Sequence, residues 1–166
     1  QGIVDGIAYW PGRGLIYCGP NAIALYNGSS WQNLGSISLG EYHIIAEHIG
    51  DAVYCGAGNG GSQIFKVDNT LTITQIATPP ANYGASSSQG VLCGDTLTGT
   101  LIGYSQSSTN FNEYDPVGNS WSSLSKSSGS GATEQLGLPP LNTNRVIAAD
   151  VHGLDVTMWV QTGGGG

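Results

Sequence analysis

The feature that most constrains the fold is a segment that recurs three times along the chain. The three copies read FNEYDPVGNSWSSL (residues 111–124), ALYNGSSWQNL (residues 24–34) and IFKVDNTLTITQI (residues 64–76), the last of which keeps only the hydrophobic pattern. The corresponding positions Tyr26, Val67 and Tyr114 are 41 and 47 residues apart. A period of about 20–50 residues indicates an array of repeated supersecondary units rather than one conventional core.

A short apolar run precedes each copy, and the composition between the runs favours turns. The runs read LIYCG from Leu15, AVYCG from Ala52 and TLIGYS from Thr100, and a fourth, VTMWVQTGG, begins at Val156. Gly accounts for 27 of 166 residues, and no window carries helical apolar spacing, so we predict an all-β chain with helix below about a tenth of residues. The predicted strands are Leu15–Cys18, Ala22–Tyr26, Ala52–Cys55, Gln63–Val67, Leu101–Tyr104, Phe111–Tyr114 and Val156–Val160.

The order of these elements resembles the kelch-type β-propeller repeat. That repeat has an apolar strand ending in Gly-Gly, a strand closing on Tyr-Asp-Pro, and then a turn and a Trp. The matching residues are Tyr114, Asp115, Pro116 and Trp121 in the clearest copy, Tyr26 and Trp31 in the weaker copy, and Arg145 in the last unit. The chain departs from the pattern because Gly-Gly is missing after Tyr17 and after Tyr54.

The resemblance implies antiparallel four-stranded blades. The repeats delimit about three and a half units, at residues 1–40, 41–80, 81–137 and, incompletely, 138–166. Closed propellers typically have about four to eight blades, so we expect these units to be part of a larger ring. An unpaired strand at Val156–Val160 would be a template for aggregation. We therefore expect the chain either to continue in a longer polypeptide or to pair with another chain there.

Each unit also carries a turn that can be interpreted physically. The carboxylate of Asp115 can accept hydrogen bonds from the amides that follow it, and Pro116 fixes its own φ for a turn. Either Gly118 or Asn119 can then adopt a positive φ. The aromatic side chains at the equivalent positions Trp31 and Trp121 are expected to pack between neighbouring blades, with ligand stacking as the alternative.

Charge and cysteine content exclude several classes of function. Charged residues make up 9% of the chain, with four Lys and Arg against eleven Asp and Glu, which leaves too few cations for a nucleic-acid interface. No apolar run approaches the length of a membrane-spanning helix. The three cysteines, Cys18, Cys55 and Cys93, lack metal-ligand spacing and are expected to be small buried residues.

The densest polar cluster is Glu47, His48 and Asp51, in the strand that also contains His43. The two histidines are five residues apart, so they point to opposite faces of a strand, which disfavours a metal site. The sequence contains no GxSxG, phosphate-loop or HExxH motif. We therefore predict no catalytic residue, no metal and no cofactor, and interpret the cluster as a polar strand end.

The polar, weakly charged composition favours a non-catalytic structural or binding role in a virion, such as a phage tail, fibre or decoration protein. The open alternatives are a secreted carbohydrate- or protein-binding module, a fragment of a propeller enzyme similar to galactose oxidase, and an intracellular kelch adaptor. The expected partners are neighbouring subunits, the rest of its own chain or a surface glycan, in an extracellular or virion location. The candidate binding residues, in polar loops at the blade ends, are Asn82, Tyr83, Gln106 and Asn110.

Overall fold

Strands form all of the regular secondary structure in the described part of the chain. The computed structural model describes residues 5–39, 44–56, 63–80, 90–95, 98–105, 111–123, 144–152 and 155–162. The strands are β1 (Gly6–Trp10), β2 (Gly14–Cys18), β3 (Ala22–Tyr26), β4 (Trp31–Ser36), β5 (Ile45–Ile49), β6 (Ala52–Gly56), β7 (Ile64–Val67), β8 (Ile73–Gln75), β9 (Gly90–Asp95), β10 (Thr100–Ser105), β11 (Phe111–Asp115), β12 (Ser120–Ser123), β13 (Asn144–His152) and β14 (Asp155–Thr162). Within those ranges there is no helix, as the turn-rich composition predicts.

The strands assemble into three sheets. Sheet 1 has the order β1-β2-β3-β4, sheet 2 the order β5-β6-β7-β8, and sheet 3 the order β12-β11-β10-β9-β13-β14. In each sheet four consecutive strands pair antiparallel, which confirms an all-β chain of four-stranded antiparallel sheets. Strand β13 joins sheet 3 in parallel, where Val151 lies opposite Asp95. Strand β14 pairs with β13 and forms the edge of that sheet among the described strands.

The predicted strands match the observed ones closely, and the three repeats share one register. The Ala22–Tyr26 strand has the predicted bounds, and four other predicted strands differ by one residue at one end. The observed β10 is one residue longer at each end, and β14 is longer by one residue at its start and two at its end. Tyr26 lies directly opposite Trp31, and Tyr114 lies directly opposite Trp121. In sheet 2 the same position is occupied by the aliphatic pair Val67 and Ile73. The aromatic pair of the first and third repeats is therefore replaced by an aliphatic pair in the second.

Two hydrophobic clusters join the sheets as a stack. The cluster between sheets 1 and 2 contains the side chains of Ala8, Trp10, Ile16, Cys18, Ile23, Leu25, Ile37, Leu39, Ile44, Val53, Cys55 and Val67. The cluster between sheets 2 and 3 contains Ile49, Ala52, Tyr54, Ile64, Ile76, Leu92, Leu101 and Tyr114. Sheet 2 therefore contributes apolar side chains on both of its faces, and this two-sided burial is the main stabilising contribution to the stack.

The turn that follows the third strand of each sheet is closed by a short polar side chain. Asn27 Oδ1 accepts hydrogen bonds from the amides of Ser29 and Ser30, both at 3.0 Å. Asp68 Oδ1 accepts from the amides of Thr70 at 2.9 Å and Thr72 at 3.0 Å. The hydroxyl of Thr70 also donates to this carboxylate and is the main cause of a lowered pKa for Asp68.

The turn of the third repeat forms as its sequence predicts. Asp115 Oδ1 accepts a hydrogen bond from the amide of Val117 at 2.8 Å. Gly118 and Asn119 were the two candidates for the left-handed conformation, and Asn119 adopts it, with a φ of 47°. Asparagine tolerates this region because its short polar side chain can hydrogen-bond locally.

Candidate functional site

The binding residues predicted from the loops cannot be placed in this fold. Asn82, Tyr83, Gln106 and Asn110 lie outside the described residues. Arg145, predicted from the repeat pattern, lies in β13 opposite Gln161 of β14. The functional geometry that can be described involves the aromatic residues of the repeat.

The Tyr–Trp pair of the third repeat is part of the joint between sheets 2 and 3. The rings of Tyr114 and Trp121 lie 5.2 Å apart between centroids and are tilted by 44°. Tyr114 is buried and meets the ring of Tyr54 from sheet 2 edge-on, at 6.0 Å. Edge-on contact is a favoured geometry for aromatic side chains, so this joint combines burial with directional packing.

Both main-chain polar groups of Ala77, which follows β8 by two residues, are bound by side chains of the third repeat. The indole Nε1 of Trp121 donates a hydrogen bond to the carbonyl oxygen of Ala77 at 2.9 Å. The amide of Ala77 in turn donates to Asn119 Oδ1 at 2.8 Å, and the hydroxyl of Tyr114 donates to the same oxygen at 2.9 Å. Trp121 therefore lies at the joint between sheets 2 and 3, and the left-handed Asn119 directs its side-chain oxygen to the same joint.

Burial in this joint raises the pKa of Tyr54 to about 12, with the neighbouring Tyr114 as a second cause. Below pH of about 10 the phenol is protonated in both the folded and the unfolded chain, so it contributes no pH dependence there. Between about 10 and about 12 the unfolded chain loses this proton and the folded chain keeps it. We expect the free energy of unfolding to fall across that interval and the 295 nm absorbance titration to show a late tyrosine. Because the pKa values of Tyr17 and Tyr114 are also raised, Tyr54→Phe should remove only the component near 12. A single tyrosine transition near the ordinary pKa would contradict this expectation.

The equivalent aromatic pair in sheet 1 lies on a face that none of the described strands covers. Residues that lie directly opposite one another in β1 to β4 have their side chains on the same face of the sheet. We call this face the sheet-1 outer face. Its members are Ile7, Tyr9, Leu15, Tyr17, Ala24, Tyr26, Trp31 and Asn33. The opposite face of sheet 1 contributes Ala8, Trp10, Ile16 and Cys18 to the cluster shared with sheet 2. In the described part of the chain, the sheet-1 outer face is therefore the face of sheet 1 that does not contact sheet 2.

The sheet-1 outer face differs from its counterpart in sheet 3 in how much of its tryptophan is exposed to solvent. The rings of Tyr26 and Trp31 lie 5.2 Å apart and are tilted by 40°, nearly the geometry of Tyr114 and Trp121. Trp31 is nevertheless 56% exposed. Among the described residues Trp31 is therefore not packed between two sheets. Its face points away from sheet 2, and no further sheet lies beyond it in the described part of the chain.

Aromatic contacts and one hydrogen bond organise the outer face. The ring of Tyr17 meets the ring of Trp31 edge-on, at 6.2 Å and 80°. The hydroxyl of Tyr17 donates to Asp5 Oδ2 at 2.6 Å, and this hydrogen bond is the main cause of a raised pKa for Tyr17. The eight members of the face are uncharged, and this hydrogen bond holds the carboxylate of Asp5 beside them. The other oxygen of that carboxylate, Oδ1, is buried and has no hydrogen-bond partner among the described residues.

The polar cluster predicted at the strand end does not converge. Glu47 and His48 are neighbours in β5 and point to opposite faces, and the strand ends before the turn that holds Gly50 and Asp51. His48 packs against Trp10, with ring centroids 6.0 Å apart. Among the described residues no group of three His, Cys, Asp or Glu side chains could hold a metal ion.

The three cysteines are buried and carry free thiols, as predicted. Cys18 of sheet 1 and Cys55 of sheet 2 belong to the same cluster. A hydrogen bond between their thiols, together with burial, raises the pKa of Cys18. Both groups therefore behave as small apolar residues of the joint between sheets 1 and 2.

No protein-family model matches the sequence, and a search of curated proteins finds no similar sequence. Within the part of the chain that the structure describes, no helix has the length and apolar character needed to cross a membrane.

Proposed function

We propose that this chain is a non-catalytic structural and binding module, built as part of a kelch-like β-propeller and belonging to a virion assembly such as a phage tail, fibre or decoration protein. In this proposal the sheets are blades and act as a rigid scaffold. Contact with neighbouring subunits, or with a surface glycan, is made by the sheet-1 outer face and by the predicted loop residues.

The observation that supports the proposal best is the sheet-1 outer face. Ile7, Tyr9 and Trp31 are 59%, 64% and 56% exposed, and they share one face of one sheet. Contiguous apolar surface that is exposed to water is costly, and in folded proteins it commonly marks a contact surface. The order of the sheets supports the blade interpretation, because each four-stranded set is a simple antiparallel meander stacked on the next.

A second candidate function, a secreted carbohydrate-binding module, is favoured by the same rings. The exposed side chains of Tyr9 and Trp31 offer flat apolar surfaces, and the phenol and the indole each supply a polar group. Such side chains can stack on a sugar ring and hydrogen-bond to its hydroxyls without any net charge.

One experiment separates these functions from an enzymatic one. The purified chain is applied to a glycan array, and the same sugars are assayed for hydrolysis and for oxidation. We expect no turnover of any sugar, and antibody labelling of intact particles to place the chain in a virion. Binding that is weakened by Trp31→Ser or Tyr83→Ala would favour the carbohydrate-binding module instead. Turnover that is abolished by Glu47→Gln, His48→Gln or Asp51→Asn would overturn the non-catalytic proposal.

A further inference from the structure

The second strands of sheets 1 and 2 have similar sequences but are offset by one position. They read LIYCG in β2 and AVYCG in β6. In β2, Cys18 follows the residue opposite Tyr26 by three positions. In β6, Cys55 follows the residue opposite Val67, the equivalent of Tyr26, by only two. Because side chains alternate between the faces of a strand, this offset turns Cys18 toward sheet 2 and Cys55 toward sheet 1, and both lie in the cluster between the sheets.

The joint is narrow between these two strands. At their closest approach the Cα atoms of β2 and β6 lie within 8 Å of one another, although packed sheets are usually about 10 Å apart. The thiols of Cys18 and Cys55 are fully buried and are in hydrogen-bond contact across the joint. A disulfide joins residues whose Cα atoms are about 4.4–6.8 Å apart. The two thiols therefore need only a small approach to become bonded.

We infer that Cys18 and Cys55 form a disulfide bond that links sheet 1 to sheet 2 when the chain folds in an oxidising compartment. This inference rests on the extracellular or virion location of the proposed function, because disulfides form and persist outside the reducing cytosol. The bond adds a covalent link to the stack of blades and leaves the sheets and their order unchanged.

The oxidant is a small disulfide such as oxidised glutathione. The thiolate of one cysteine attacks a sulfur of the oxidant, breaks its S–S bond and releases one molecule of reduced thiol. The thiolate of the second cysteine then attacks the protein sulfur of this mixed disulfide and releases the other reduced thiol. The two cysteines lose two electrons and two protons, and the oxidant takes up both and is reduced to two thiols.

Burial determines the stage of folding at which this reaction takes place. Thiol–disulfide exchange needs a thiolate that the oxidant can reach. In the folded reduced chain both thiols are fully buried, and their hydrogen bond together with burial raises the pKa of Cys18. The bond therefore forms while sheets 1 and 2 are still closing on one another, and the completed joint then protects it from reduction.

The third cysteine, Cys93, lies away from this joint. It belongs to sheet 3, where it alternates with Leu92 of the cluster shared with sheet 2, so its side chain points to the other face. There its Sγ donates a hydrogen bond to the carbonyl oxygen of Ile102 at 3.6 Å. Of the three pairings that three cysteines allow, the geometry therefore supports only Cys18 with Cys55.

Refolding of the intact 166-residue chain from denaturant, either with oxidised glutathione or with a reducing agent alone, tests the inference. Proteolysis of the oxidised product without reduction should yield two peptides joined through Cys18 and Cys55, which separate when a reducing agent is added. The bond closes a loop of about 38 residues, so the Tm of the oxidised chain should exceed that of the reduced chain by about 10 °C.

Three alanine variants are the controls. Cys18→Ala and Cys55→Ala should each abolish the joined peptides and the difference in Tm between oxidised and reduced samples. Each variant is compared with itself under the two conditions, so the packing that alanine removes does not enter the comparison. Cys93→Ala should keep both the joined peptides and the difference in Tm, and its intact mass should fall by two hydrogen atoms on oxidation.

The outcomes distinguish this inference from the proposed function. A parent chain that refolds with oxidant to its native circular dichroism spectrum, yet yields no peptide joining Cys18 to Cys55, would overturn the inference and leave the non-catalytic role intact. A bond to Cys93 in place of that link would also overturn it, because the thiols facing each other between sheets 1 and 2 would not be the ones that react. Turnover of a sugar by the cross-linked chain would contradict the proposed function and leave the disulfide standing.

Discussion

Replacing Trp121 by alanine is expected to lower the free energy of unfolding by about 3 kcal/mol, because it removes a large ring from the joint between two sheets. The same change leaves the carbonyl of Ala77 without its indole donor, and it removes the ring packed at 5.2 Å on Tyr114. Urea denaturation followed by circular dichroism measures the change. Trp121→Phe retains most of the ring and loses the donor, so its cost should be nearer about 1 kcal/mol.

The matched control is Trp31→Ala, which alters the equivalent residue of the first repeat. The ring of Trp31 contacts that of Tyr26 but is 56% exposed, so the expected loss is below about 1 kcal/mol. Equal costs for the two alanine variants would contradict the difference in covering described above. A ligand lost on replacing Trp121, with stability unchanged, would identify it instead as a binding residue.

Gly14→Ala is expected to have the second large effect. Gly14 has a φ of 131°, and a Cβ atom added there would come within 1.9 Å of the carbonyl oxygen of Tyr26 in the neighbouring strand. The backbone strain and the collision must both be relieved by separating β2 from β3, whose pairing begins at Leu15 and Tyr26. The cost should be about 3 kcal/mol or more, seen as a lower urea midpoint or as loss of soluble protein.

Gly12→Ala is the matched control, because it introduces backbone strain without a steric collision. Gly12 also has a positive φ, of 76°, and nothing lies within 4 Å of the added Cβ. It should cost only about 1 kcal/mol, the ordinary penalty for a residue with a side chain in this region. If Gly12→Ala proved as damaging as Gly14→Ala, the collision with Tyr26 would not be the cause of the larger effect.

The inner strands could be predicted from the sequence because their apolar runs are short and bounded by turn residues. Ala52–Gly56 is buried throughout, and Ala22–Tyr26 alternates between buried and half-buried residues. The fourth strands of sheets 1 and 2 were indicated less clearly by the sequence. Trp31–Ser36 is mostly exposed and Ile73–Gln75 has only three residues, so neither shows the apolar alternation that identifies a half-buried strand.

The repeat also indicated which aromatic residues are equivalent, but it could not indicate what covers them. The sequence around Tyr26 and Trp31 matches that around Tyr114 and Trp121, and only the stacking order of the described sheets shows that the second pair is covered by another sheet and the first is not. Tyr9 was missed for the same reason. Tyr9 alternates with Ala8 and Trp10, and this pattern indicates a strand with two different faces. The pattern does not indicate which of the two faces packs against another sheet. Asn119 was predicted for its backbone conformation, and its side-chain bond to Ala77 depends on a partner 42 positions away in the chain.

The meander order of sheets 1 and 2 has a consequence for synthesis on the ribosome. Every strand pair in these sheets joins strands that are adjacent in the chain, so their contacts are local and rapidly formed. Each sheet can thus assemble soon after its fourth strand emerges. The nascent chain then carries a folded sheet whose apolar face stays exposed to solvent until the next sheet has been translated and can pack against it. That interval, which recurs once per repeat, is when chaperones would engage this chain and when two nascent copies on one message would be most prone to pair wrongly.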